Sequence, residues 1–330
     1  MNEVTEQISI EDKIIEMAFE HSLNIDRRGF IGGSDGAAAI GASDYKSQRQ
    51  LWKEKTAPTW ERPELKSAQA EKILIGILQE EPVAKMFTMW TGIKVRRDNR
   101  DIVHPDYPFI QAHVDRVGKD SEGKRFILEC KNNSEYRTDE WKDGNVPPDY
   151  SIQGLHYLAC CPEAQYVRFA VLLGGNHLVY DIIIERDEEL ISDYLTRVSD
   201  FWNNHVLPKV EPPVMLLDEP EVNAVEVTND ELLLLDEDEY YNMVKECYLL
   251  NETKKQAEKA YKEKNIVLRD IIAGHKGALC GDLVVKFGSQ NRMNFLEKKF
   301  KDDNPDWATK YGEQKTIRVF EIVPAKGVKK

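Results

Sequence analysis

Asp115, Glu129 and Lys131 are the residues of this 330-residue chain whose types and spacing could do chemistry together. They lie in FIQAHVDRVGKDSEGKRFILECKN, residues 109 to 132, which reads as a β-hairpin. Runs rich in Val, Ile and Phe flank the turn-forming Lys119-Asp120-Ser121-Glu122-Gly123. Alternation across a strand puts Gln111, His113 and Asp115 on one face and Ile110, Ala112 and Val114 on the other. On the return strand Ile127, Glu129 and Lys131 share one face, and Phe126, Leu128 and Cys130 the opposite one. Such a hairpin brings Asp115, Glu129 and Lys131 to one end of a sheet. Two carboxylates there make a hard oxygen site suited to Mg²⁺ or Mn²⁺. An ammonium one pleat away is placed to hold or deprotonate a water beside the metal. The competing reading is an ordinary edge hairpin with a solvated charged face, because Glu-x-Lys is a common pair.

The remaining elements have to position that hairpin. A first helix is expected over Ser9 to Asn24, with Ser9 as N-cap and Glu11 and Asp12 in its first turn. In DRRGFIGGSDGAAAIGAS, residues 26 to 43, Arg27 and Arg28 precede Gly32-Gly33, and Ser34-Asp35 are placed to cap a helix opening at Gly36. A helix start behind glycines, with a hydroxyl and a guanidinium in reach, suits an anion; plain capping explains the same residues. Residues 64 to 91 form a long helical pattern in which Glu81 continues the stripe of Leu74, Ile77 and Leu78, with Glu80 as the alternative inward carboxylate. Pro82 predicts a kink or a fresh helix start beside them. A further helix, DYSIQGLHYLACC from Asp149, carries Gln153, His156 and Tyr157 on one face. YVRFAVLLGGNHLVYDIIIE, residues 166 to 185, reads as a second hairpin with both strands buried on both faces. Asp187 caps an amphipathic helix after it. The fold class is therefore α/β, a central mixed sheet flanked by helices, over residues 1 to 213. From 214 to 330 the pattern changes to a Lys/Glu-rich helical arm and a small β subdomain, with strands in LVVKFGSQNRMNFLEK and TIRVFEIVP.

Composition narrows the function. The net charge of −13 argues against a protein that coats nucleic acid without selectivity, and leaves room for a local basic channel beside metal-binding carboxylates. The five cysteines show no CxxC spacing, which disfavours a zinc or iron–sulfur site and suits reduced cytosolic thiols. No apolar run reaches membrane-spanning length, and the acidic N-terminal stretch is unlike a signal peptide.

RRGFIGGSDGAAAIG, GILQEEPVA, AHVDR, ECK and SIQGLHYLA follow in order over residues 26 to 205. Together they resemble the phage alkaline exonucleases, the YqaJ-type or lambda-exonuclease-like recombination nucleases of the PD-(D/E)xK superfamily. The resemblance implies that Asp115 and Glu129 bind Mg²⁺, with Mn²⁺ as substitute, beside the Cys130 carbonyl. It implies a catalytic Lys131, a helical carboxylate at Glu81 that holds a metal-bound water, and a Gln153 that completes the site. Arg27 and Ser34 correspond to the 5′-phosphate contacts. Family spacing departs at one point: its Glu usually stands four residues after Gly76, which is Glu80. The activity so implied is 5′-to-3′ digestion of linear double-stranded DNA, leaving 3′ overhangs for phage recombination by single-strand annealing. A trimeric ring, a single-strand annealing protein as partner and the cytoplasm of a bacterial host go with it. Another nuclease on the same core, restriction-type or CRISPR-associated, and a non-catalytic DNA-end-binding protein are the alternatives.

Overall fold

The computed structural model describes residues 9–20, 25–62, 64–225, 232–286, 303 and 306. Residues up to Ala224 form one compact unit and those from Val225 a second.

In the first unit, the centre is β5 (Arg125–Asn133), with β6 (Tyr166–Leu173) parallel on one side and β4 (Arg116–Lys119) antiparallel on the other. β1 (Val95–Arg97) and β7 (His177–Glu185) form the edges of this five-stranded sheet, ordered β1-β4-β5-β6-β7. The parallel step needs a crossover, supplied by a 3₁₀ stretch (Glu135–Gly144) and α5 (Pro148–Cys160). Strand alternation then separates two layers. Phe126, Leu128 and Cys130 meet Val83, Ala84 and Phe87 of α4 (Ser67–Thr91). Ile127, Phe169 and Val171 meet α5, the short α2 (Gly36–Ala39) and α6 (Glu188–Phe201). Helices thus cover both faces of a mixed sheet.

Several expectations change in detail. The first half of the hairpin is split: Gln111–Ala112 (β3) pairs with Ile102–Val103 (β2) as a separate ribbon, and β4 begins only after Asp115. β7 is half-exposed rather than buried on both faces, because it is an edge strand. α4 runs through Pro82 as one helix, since packing of Val83, Ala84 and Phe87 beyond the proline outweighs the lost backbone bond. α1 (Ile10–Ala18) starts at its Ser9 cap, which accepts from the Asp12 N–H. Asp187 likewise accepts from the N–H groups of Glu189 and Leu190. The first unit continues past position 213: Asp218 is fully buried, bonded to the Ser47 hydroxyl, and Lys53 pairs with Glu221.

In the second unit α8 (Glu237–Ile271) is a helix of 35 residues capped by Asp236, with none of its residues buried. β8 (Gly277–Cys280) and β9 (Leu283–Lys286) form a hairpin. The expected strand beyond Lys286 and the one at 316 to 324 lie outside the described residues. No helix among the described residues is long and apolar enough to cross a membrane.

Candidate active site

β4 stops at Arg116, opposite Leu128, so Asp115 leaves the ladder at the level of Glu129. Its carboxylate replaces the missing ladder bond: Oδ2 accepts from the Cys130 N–H at 2.8 Å. Glu129 is 2% exposed and points away from α4, the face that strand alternation predicts. Its Oε1 accepts from Lys131 Nζ at 2.7 Å, from Gln153 Nε2 at 3.1 Å and from the Tyr157 hydroxyl at 3.4 Å. Its Oε2 is buried with no hydrogen-bond partner. Lys131 also donates to Gln153 Oε1 at 3.0 Å and stands 4.8 Å from the Tyr150 ring centre. Gln153 donates in turn to Tyr157 at 2.7 Å. Gln153, one turn before Tyr157 on α5, is thereby a buried bridge rather than a surface residue.

The electrostatics are frustrated. Burial pushes the Glu129 carboxyl up to about 8, the nearby charge of Asp115 adds to this, and Lys131 opposes it. Burial likewise raises Asp115. Glu80 is raised by burial and then by Asp115. Burial alone would lower Lys131, yet Glu129 and Asp115 hold it above its ordinary value.

Of the two helical carboxylates, Glu80 and not Glu81 lines the cavity beside Asp115. Burial on α4 continues from Leu74 through Ile77 and Glu80 to Val83, Ala84 and Phe87, whereas Leu78 and Glu81 are exposed. The buried stripe turns with the 3.6-residue period, and Leu78 lies outside it. Glu81 is held by Arg116 at 2.7 Å and Lys85 at 3.6 Å. Glu80 shares with Asp115, Gln153 and Tyr157 a cavity of about 420 Å³.

Arg27 and Ser34 line that same cavity, with Arg27 Nη2 donating to Ser34 Oγ at 3.2 Å. Asp35 does not cap α2. Its buried carboxylate accepts from Arg27 (3.0 Å), Lys55 (2.9 Å) and the Gly32 N–H (3.2 Å). Burial alone would raise Asp35, but Lys55 and Arg27 hold it at about 2. Gly36 and Ala37 are buried, and a side chain at Gly36 would strike the Tyr194 hydroxyl, so α2 offers no open N-terminus to an anion. Arg28 is engaged elsewhere, by Asp26 and the Ala57 carbonyl. Lys55 and Arg97, which reaches Glu80 at 3.5 Å, escape a reading by spacing because each comes from a different element.

Among the described residues, no three His, Cys, Asp or Glu side chains stand together in ligating geometry. The donors nonetheless fit a hard cation: Glu80 and Asp115 line one cavity, Glu129 is buried close enough to feel the charge of both, and its Oε2 lacks any hydrogen-bond donor. An interior carboxylate oxygen left in this state costs free energy that a cation would remove.

A mixed sheet holding carboxylates at the end of a split hairpin, with helices on both faces, defines an α/β protein. Residues 24–164 match the YqaJ-like viral recombinase domain. The chain is 34% identical over 310 residues to the uncharacterized protein YqaJ of Bacillus subtilis (strain 168), covering 90% of this chain and 92% of the relative. It belongs to the YqaJ-like viral recombinase family. Among solved structures, an alkaline exonuclease (LHK-Exo) from Laribacter hongkongensis is similar with a TM-score of 0.45 and 20% identity, covering 64% of this chain and all of that one. The same enzyme in complex with dAMP gives a TM-score of 0.44 at 20% identity, covering 60% of this chain and 96% of that one.

Proposed function

We propose that this protein is a metal-dependent deoxyribonuclease that digests linear double-stranded DNA from the 5′ end, leaving 3′ single strands for recombination by annealing. The observation that carries the reading is Glu129 Oε2, buried without a partner beside Asp115 and Glu80. Asp115, Glu129, Glu80 and the Cys130 carbonyl would hold Mg²⁺, or Mn²⁺ in its place. The Cys130 N–H and C=O point to one strand edge, and that edge of β5 has no β4 partner beyond Leu128. A divalent cation there would neutralise charge on the scissile phosphate and its leaving oxygen. Lys131, tethered to Glu129 and Gln153, positions the attacking water, and Gln153 fixes the Glu129 carboxylate. Arg27 and Ser34, in the same cavity, receive the terminal 5′-phosphate through charge-assisted bonds. The resemblance to phage exonucleases supports a homotrimeric ring, a single-strand annealing partner and work in the cytoplasm of a bacterial host. Residues 214–330, above all those after Ala224, serve assembly or partner contact in this reading.

The test is digestion of linear, closed-circular and single-stranded DNA with Mg²⁺ or with EDTA. Loss of linear duplex from its 5′ ends only with the metal, and survival of circles, is expected. Cutting of circles, or no metal-dependent digestion, would overturn the assignment.

A further inference from the structure

The sheet face that carries Asp115 and Glu129 does not end there. Arg96 lies opposite Val117, and Val117 opposite Ile127. Alternation puts Lys94, Lys119 and Arg125 on this same face. These four cations are exposed, and none has an ion pair among the described residues. They rim a second cavity of about 540 Å³ with an apolar floor of Val117, Ile127 and Ala164. Its one acid, Glu163, reaches Arg100 at 3.9 Å. Arg100 also donates to Asp98 at 2.8 and 2.6 Å, and Asp98 lines the cavity of Glu80 and Asp115, so the two cavities abut across that pair. Arg125 stands four residues before Glu129 on β5, roughly 13 Å away at about 3.3 Å per residue.

We infer that this second cavity grips an unpaired nucleic-acid strand a few nucleotides from the reacting phosphate, an inference that rests on the nuclease reading. Four unpaired cations in a chain of net charge −13 mark a polyanion as the ligand. The apolar floor selects a single strand, because only unpaired nucleotides turn their base faces outward, whereas a duplex shows phosphates and groove edges. The reach from Glu129 to Arg125 matches a strand that continues along one sheet face.

The experiment is anisotropy of fluorescein-labelled single-stranded and blunt duplex DNA at several salt concentrations in EDTA, so that no cleavage intervenes. Lys119→Gln/Arg125→Gln is compared with the wild type. The control is Lys124→Gln on the same hairpin, whose side chain pairs with Glu122. The double variant should weaken single-strand binding and reduce its salt slope by about 0.7 for each phosphate that is no longer neutralised, while Lys124→Gln leaves the slope unchanged. An unchanged slope in the double variant, an equal fall in the control, a fall for duplex alone, or no binding by the wild type would each overturn the inference. If the wild type binds as expected but Mg²⁺ elicits no digestion, the nuclease reading fails and the strand site stands.

Discussion

Two buried carboxylates of this protein meet opposite fates. Asp35 is surrounded by Lys55, Arg27 and the Gly32 N–H, and its carboxyl is held at about 2. Glu129, as deeply buried, keeps one oxygen without a donor and is pushed up to about 8 by burial and by Asp115. The first network is complete and anchors the Arg27 loop to α3 (Gln48–Thr56) through Lys55. The second is incomplete, and in the proposed function a divalent cation would complete it. Satisfaction of charge, rather than burial or residue type, separates an anchoring carboxylate from one kept ready for a ligand.

The largest effect that would break this contrast falls on cleavage. Glu129→Gln and Asp115→Asn should each lower the rate by more than about a thousandfold, the equivalent of several kcal/mol at 1.36 kcal/mol per decade. DNA binding should survive, because a negative charge near phosphate is removed. Near-normal cleavage by either variant would show that the hairpin is an ordinary structural one. Asp35→Asn should do the reverse. It leaves Lys55 buried without its counter-charge and should cost about 3–5 kcal/mol of unfolding free energy in denaturant melts.

Lys131→Ala should remove most of the rate, and Lys131→Arg should fail to restore it, since a planar fork does not reproduce a compact ammonium between Glu129 and Gln153. Full activity of the alanine variant would reduce the lysine to a spectator.

Arg27→Ala should erase a preference for 5′-phosphate over 5′-hydroxyl ends of about tenfold or more, given roughly 1.5–3 kcal/mol per charge-assisted hydrogen bond. Arg28→Ala should leave that preference intact, because Arg28 is engaged by Asp26 and the Ala57 carbonyl. Equal rates on both ends in the wild type would make the Arg27 loop an anchor alone.

The smallest effect sharpens the comparison through pH. Glu129 has a folded-state value above its unfolded one, so the metal-free protein should lose stability as pH rises from about 4.5 through about 8. Asp35 has a lowered value, so its contribution is present above 3.8 and is lost as pH falls through about 2. Melting temperatures across pH check both signs: Glu129→Gln should flatten the alkaline decline and leave the acid one.

Much of this was legible in the chain. Alternation in the Ile127-Glu129-Lys131 strand fixes which side chains share a face, so the carboxylate–lysine set emerges from a period of two. The second hairpin is announced by Gly174-Gly175-Asn176, and the Ser9 and Asp187 caps by residue type. What stayed hidden depends on distant partners. Glu80 and Glu81 differ only in which way α4 turns against the sheet, and exposed Leu78 imitates a core position. Asp35 looks like a cap in GGSDG until Lys55 of another helix is brought to it. The break in the first strand after Ala112 goes with the pairing of Gln111–Ala112 to Ile102–Val103 in a separate ribbon, next to an isolated bridge from Ile31 to Ile110, pairings no local pattern announces.

The most direct test of an incomplete carboxylate site is titration calorimetry of Mn²⁺ into the metal-free protein, with wild type, Glu129→Gln and Asp35→Asn in parallel. The account predicts saturable binding to the wild type, retained by whatever fraction of Asp35→Asn folds, and lost in Glu129→Gln. Undiminished Mn²⁺ binding by Glu129→Gln would contradict it.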